Sequence, residues 1–186
     1  MPIEIHPPNP DWPRRFTAIR AALAAALPKA LAIHHIGSTA VPGLVAKDII
    51  DIQVTLQSLS DFDPQALERA GFPLHSPTRD HAPPGLTLAP RDLAKRMHRK
   101  PGPESANIHI REAGRFNQRY PLLCRDYLRS HPGAAAAYGV IKQNLARLFP
   151  EDEEAYYDIK DPVFDLIMAG AEDWAQATAW TPPPGD

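Results

Sequence analysis

Proline placement constrains this chain more than any other feature. Proline has no backbone N–H and breaks ladders and helix interiors, so it punctuates regular elements. The 22 prolines cluster at the start (Pro2, Pro7, Pro8, Pro10, Pro13), in the middle (Pro73, Pro77, Pro83, Pro84, Pro90), at 101–103 and at the end (Pro182, Pro183, Pro184). Regular elements belong between those clusters.

From Asp11, a candidate cap with Pro13 in the first turn, Phe16, Ile19, Leu23 and Leu27 recur at helical spacing. Leu31–Ile36, apolar apart from His34 and His35, reads as a strand that delivers the Gly37-Ser38 turn, and Ile49–Leu56 reads as the next strand. Asp63–Ala70, closed by Gly71, reads as a short helix. The segment 73–105 is rich in proline, glycine and charge, with one strand expected near Leu86–Leu88. Asn107–Arg111 alternates, placing Ile108 and Ile110 on one face and Asn107, His109 and Arg111 on the other. Beyond Asn117 the period turns helical over about 117–130, 134–149 and 152–178, with Pro132 and Pro150 as separators. Ala137, Ile141, Leu145 and Leu148 are the expected apolar stripe of the middle helix. Strands in the first two-thirds and helices at the end predict an α+β fold. One domain over 1–186 is expected, with an extended N-terminus over 1–10 and a frayed tail over 180–186.

A chain of 186 residues can bury a full core. Its single cysteine, Cys124, excludes an internal disulfide framework and a multi-cysteine zinc site. No basic start with an apolar run marks a signal peptide, and no run approaches the roughly 20 apolar residues of a membrane span. A cytoplasmic address without membrane association is the expectation. The net charge of −2 speaks against nucleic acid as a partner. Residues 91–129 nevertheless hold ten Lys/Arg against four Asp/Glu, whereas 151–186 hold one Lys and ten Asp/Glu. Such asymmetry either steers an anion to the basic stretch or neutralises itself across the fold.

The strongest chemical feature is His35–Leu44 with its Gly37-Ser38-Thr39 turn, followed by Lys47 and by Asp51 in Ile49-Ile50-Asp51-Ile52. Glycine lets backbone and a hydroxyl approach an anion closely, and an aspartate on the next strand could hold a metal that bridges phosphates. The alternative is a plain strand–turn–strand. Asn107, His109 and Arg111 form either a ligand-facing row or partners for buried carboxylates. Lys95, Arg96, Arg99 and Lys100 are expected in a loop, as a solvated charge run or a mobile phosphate clamp. Arg125, Asp126, Arg129 and His131 share one helix end, and Tyr138/Lys142 and Tyr157/Lys160 are helix neighbours. His6, His75, His81 and His98 are expected at the surface.

These stretches resemble the GrpB family of bacterial proteins: His35–Leu44, Ile49–Ile52, Asn107–Arg111, Arg125–Pro132, Tyr138…Lys142…Leu145, Tyr157…Lys160 and Asp11-Trp12-Pro13…Phe16. The resemblance implies a nucleotidyltransferase-like fold, a mixed β-sheet core flanked by helices, and similarity to an extra C-terminal domain of some dephospho-coenzyme A kinases. In that superfamily the Gly-Ser turn grips a triphosphate and two acids separated by one residue hold a divalent metal. Carried across, the first acid falls on Asp51 and the second on Gln53, a much weaker Mg²⁺ ligand. Asp48 lies an odd number of residues from Asp51, on the opposite strand face, so the two cannot chelate one ion without a bulge. The resemblance therefore implies a phosphorylated small molecule, a nucleotide or coenzyme A-like compound, as ligand. Gly37, Ser38, Thr39, Lys47, Lys95, Arg96, Asn107, Arg111, Arg125, Lys142 and Lys160 would bind it. Asp51 and His109 would be catalytic, and Asp51 would hold Mg²⁺. A noncatalytic binding module and a metal-dependent phosphohydrolase are the alternatives, and the oligomeric state is left open.

Overall fold

The computed structural model describes residues 2–76 and 78–186; Met1 and Pro77 lie outside the described residues. The chain begins with α1 (Trp12–Ala26), β1 (Ala32–Ile36), β2 (Ile50–Leu56), α2 (Pro64–Arg69) and β3 (Leu74–His75). It continues through α3 (Pro90–Leu93), β4 (Arg96–Lys100) and β5 (Ala106–Glu112) to the long helices α4 (Phe116–Ser130), α5 (Pro132–Leu148) and α6 (Glu153–Thr178). This is the expected α+β arrangement with a helical C-terminal third. The strands form one sheet in the order β1-β2-β5-β4-β3. It is mixed: β2 runs parallel to β5 and the other neighbours are antiparallel.

Alternation along the central strands sorts their side chains. Ile50, Ile52, Val54 and Leu56 of β2, with Ala106, Ile108 and Ile110 of β5, pack on Phe16, Ile19 and Leu23 of α1 and Leu67 of α2. Burying each large side chain contributes on the order of 1.5–3 kcal/mol, so this cluster anchors the sheet. The opposite face carries Asp51, Gln53, Asn107, His109 and Arg111, and α4, α5 and α6 stand over it. Pro121 and Pro162 sit inside α4 and α6 and do not end them.

Several expectations need correction. Leu86–Leu88 forms no strand; the segment's strands are β3 and β4. Arg96, Arg99 and Lys100 therefore lie in β4 and not in a mobile loop. On α5 the buried residues are Ala135, Tyr138, Gly139, Lys142, Leu145 and Ala146, while Ala137 and Leu148 are exposed. The stripe was displaced because a lysine occupies the inner face. Asp11 makes no cap bond, its carboxylate being held by Arg14 at 2.8 Å. His98 is buried and bonds the Phe72 carbonyl through Nδ1 at 2.8 Å.

The tail after Trp180 is docked, not frayed. The Trp180 indole donates to Asp126 at 3.0 Å. Asp186 N donates to Ile33 O at 3.1 Å, and the Asp186 carboxylate accepts from His35 N at 2.8 Å and from Arg125 at 3.0 Å. The segment thus covers the edge of β1, whose backbone groups would otherwise be unpaired. Removing 180–186 should lower stability by about 1–3 kcal/mol and accelerate amide exchange at His35, measured by denaturation and hydrogen exchange.

Candidate functional site

A cleft of about 610 Å³ separates the polar face of the sheet from α4–α6. Its corner is the turn at the end of β1. Gly37 has φ +69° and ψ −169°, a region essentially confined to glycine. A Cβ there would lie 2.5 Å from Asp51 Oδ2. Backbone conformation and close approach therefore both require glycine. Ser38 opens the 3-10 turn Ser38–Ala40 and lines the cleft, whereas Thr39 is buried with its hydroxyl 2.9 Å from His35 Nε2. His35 stacks on Phe16 at 4.8 Å, and burial pushes its pKa down to about 4.

Asp51 pairs in register with Asn107, whose amide donates to Asp51 Oδ1 at 2.9 Å. His109 Nε2 stands 3.9 Å from the same oxygen, and His109 Nδ1 is buried without a partner. Burial would raise the Asp51 carboxyl, but His109 and Asn107 carry it below its ordinary value. Burial lowers His109 against the opposing pull of Asp51. Gln53, 0% exposed, donates to Gln118 O at 2.9 Å and accepts from Arg111 at 2.8 Å, so both ends of its amide are engaged. Asp48 lies towards α1, accepting from Trp12 Nε1 at 2.7 Å and from Arg15. Among the described residues no three His, Cys, Asp or Glu side chains are grouped to hold a metal. One carboxylate without a second acid does not fit a protein-chelated Mg²⁺.

Three lysines from separate elements line the cleft with Ser38. Lys142 of α5, 2% exposed, donates to Ser38 Oγ at 2.8 Å and to Val45 O. Gly139, one turn earlier, allows this reach: a Cβ there would lie 3.3 Å from the Val45 side chain. Lys47 and Lys160 both lie over the Tyr157 ring, at 4.6 and 5.2 Å. Lys47 also pairs with Glu153 at 3.6 Å, and Lys160 with Asp161 at 3.0 Å. Burial and then the charge of Lys160 push Lys142 down to about 7, against the pull of Asp51. Burial also lowers Lys47 despite Glu153, with Lys160 adding to the effect.

The far end of the cleft is closed by its own counter-ion. Asp80 accepts from Arg111 through both oxygens at 2.9 and 3.1 Å, from Lys95 at 2.6 Å and from Asn117 at 3.0 Å. Burial would raise its carboxyl, but Arg111 and Lys95 hold it far below the usual carboxylate range. Arg125 is similarly engaged, by the His35 carbonyl, Asp126 and Asp186.

Of the residues named from sequence, the structure brings Gly37, Ser38, Thr39, Lys47, Asp51 and Lys95 to the cleft wall. Asn107, His109, Arg111, Arg125, Lys142 and Lys160 join them. Arg96 is exposed on β4 away from the cleft, and Lys95 is locked to Asp80, so the mobile clamp is corrected. Sequence reasoning missed Asp80 and the aromatic wall of Tyr120, Tyr156 and Phe164. Nothing in the pattern around Asp80 marks it; the cation surplus of 91–129 was the one available signal that a buried acid was needed.

A mixed sheet, a glycine–serine turn at a strand end and a cleft roofed by three helices define the class of α+β protein. The chain belongs to the GrpB family, whose model, described as GrpB protein, matches residues 2–170. It is 36% identical over 198 residues to a dephospho-CoA kinase of Mycolicibacterium paratuberculosis, a match covering 97% of this chain and 49% of the kinase. The chain thus spans about half the length of that relative. A UPF0157 protein of Pseudomonas aeruginosa is 39% identical over 177 residues, covering 91% of this chain and 67% of that one. The crystal structure of the conserved protein GrpB from Enterococcus faecalis superposes with TM-score 0.76 at 29% identity, covering 92% and 99% of the two chains. No helix among the described residues is long and apolar enough to cross a membrane.

Gly37→Ala should destabilise by about 1–3 kcal/mol from backbone strain alone, with the Asp51 clash added, as read by denaturant titration. Asp80→Asn should cost about 3–5 kcal/mol, because it strands buried Lys95 and Arg111. Since the folded Asp80 carboxyl is depressed, its contribution is complete above the unfolded carboxylate range near ~3.9 and is lost as pH falls below it. An acid titration of stability should show that loss in the wild type and not in Asp80→Asn.

Proposed function

We propose that the cleft binds a phosphorylated small molecule of the nucleotide or coenzyme A type. The observation that carries this reading is that Lys47, Lys142 and Lys160, from three separate elements, line one cleft with Ser38. Lys142 is buried with neutral acceptors as its hydrogen-bond partners. Like charges held together in a poorly solvated place favour an anion that neutralises them. Lys47 and Lys160 come to the Tyr157 ring from separate elements, and Ser38 adds a hydroxyl to the wall of the same cleft. Tyr138, Tyr156, Tyr157 and Phe164 offer a wall for the ligand's apolar or planar part, and 610 Å³ lies within the ~300–1,000 Å³ of small-molecule sites. The similarity of half of a dephospho-CoA kinase to this chain supports the coenzyme A side of the reading.

In the nucleotidyltransferase-like interpretation, Asp51 and His109 act on the phosphoryl group, and positioning with charge neutralisation supplies the rate. A noncatalytic binding module is the second reading, favoured by Gln53: a fully engaged structural amide stands where the second acid would be.

A thermal-shift screen of nucleotides, coenzyme A precursors and sugar phosphates, with and without Mg²⁺, tests the binding. A true ligand at about 100 times its Kd should stabilise by roughly 2.7 kcal/mol, and Lys47→Ala/Lys160→Ala should weaken it about tenfold or more. No shift with any phosphorylated compound would refute the reading. Asp51→Asn separates the two versions: unchanged binding with no turnover in either protein leaves the module.

A further inference from the structure

Ser38 and Lys142 form a pair that anion binding alone does not require. Both line the cleft, but Lys142 is almost fully buried and Ser38 only half-buried. The amine is held on the serine hydroxyl, 2.8 Å away.

The surroundings of Nζ serve both protonation states. As an ammonium it donates to the Ser38 hydroxyl, the Val45 carbonyl and the face of the Tyr138 ring, whose centre lies 4.7 Å away. As a neutral amine it keeps two of those partners and turns its lone pair to Ser38, and the 2.8 Å bond then runs from the hydroxyl to the amine. A buried ammonium would instead carry a full charge among neutral acceptors, at a large desolvation penalty. The facing charges are Asp51 from β2 and Lys160 with Asp161 from α6; on its own helix the titratable neighbour is the Tyr138 phenol. Their balance with burial puts Lys142 near 7, so both protonation states are populated at neutral pH.

We propose that Ser38 is a nucleophile towards phosphoryl groups and Lys142 its general base, forming a phosphoserine at Ser38 from a phosphate monoester or anhydride. This rests on the phosphorylated-ligand reading of the same cleft. Ser38 Oγ attacks phosphorus, the Oγ–P bond forms, and the bond from phosphorus to the leaving oxygen breaks. The serine proton passes to Lys142 Nζ, and the leaving oxygen takes a proton back from it. The phosphoryl oxygens rest against Lys47 and Lys160 while Lys142 works as the base. Serine activated by a lysine is an established variant of nucleophile–base catalysis, and base assistance is worth typically 10²–10⁴-fold.

The test uses the full chain and a fluorophosphonate, in which a serine displaces fluoride from tetrahedral phosphorus. Peptide mass spectrometry should find one adduct on Ser38, absent in Ser38→Ala. Its rate should rise about tenfold per pH unit below ~7 and level off above, as Lys142 loses its proton. Lys142→Arg, which keeps the charge, and Lys142→Met should each slow labelling by about 100-fold or more, with thermal melts confirming folding. No Ser38 adduct at pH 8, or an unchanged rate in either folded variant, overturns the dyad. If both variants fail to fold, the wild-type profile decides, a flat one overturning the proposal. Inorganic phosphate added as a protectant keeps the two readings apart. Labelling without protection, alongside a blank thermal-shift screen, sinks the ligand reading and spares the dyad; ligand shifts without labelling do the reverse.

Discussion

The parallel pairing of β2 with β5 is the constraint on which the rest of the structure depends. Its register sets Asp51 opposite Asn107, Gln53 opposite His109 and Thr55 opposite Arg111. Because side chains alternate, the same pairing sends Ile50, Ile52, Val54, Ala106, Ile108 and Ile110 to the other face, where α1 and α2 bury them. A slip of one residue would put carboxylate, amide and guanidinium into that apolar cluster. The hydrophobic core and the cleft are therefore two consequences of one register, and the core holds the polar row in place.

That register also explains why part of the molecule could be read from sequence. Strands β2 and β5 show clean periodicity because each has an apolar face, β1 is marked by its apolar residues and the turn that ends it, and the long helices are separated by Pro132 and Pro150. The failures share a physical cause: polar residues that face inward. β4 contains His98, buried against the Phe72 carbonyl, between exposed Arg96 and Arg99, so a half-buried strand reads as a charge run. On α5, Lys142 occupies the buried face, and a search for apolar spacing slides the stripe towards exposed Ala137 and Leu148. Pattern reading assumes that polar means outside, and it fails where a polar side chain is held inside by specific partners.

The charge asymmetry along the chain resolves into several ion pairs. Arg119 meets Glu172, and Arg125 meets Asp126 and Asp186, so part of the basic stretch is neutralised by the acidic final segment. Lys95 and Arg111 are neutralised instead by Asp80, from a segment with no regular structure of its own. Three side chains converging on one carboxylate through four hydrogen bonds hold that segment against the sheet.

The two ends of the cleft thus follow opposite electrostatic rules. Around Asp80 two cations share a buried acid, and each donor has an acceptor, so the end is closed and rigid. Beside Ser38 the pairing is looser: Lys142 hydrogen-bonds only neutral groups and feels Asp51 through space, while Lys47 and Lys160 pair with Glu153 and Asp161. A fold could pair Lys142 with one more carboxylate on α5 or in the turn, yet those positions hold glycine, serine and tyrosine. Gly37 is required by Asp51, Gly139 packs closely on Val45, and Ser38 and Tyr138 receive Lys142. The burial of Lys142 against Ser38 is thus built into the packing of the turn against α5, and a buried amine without a bonded carboxylate is where an anionic ligand gains most.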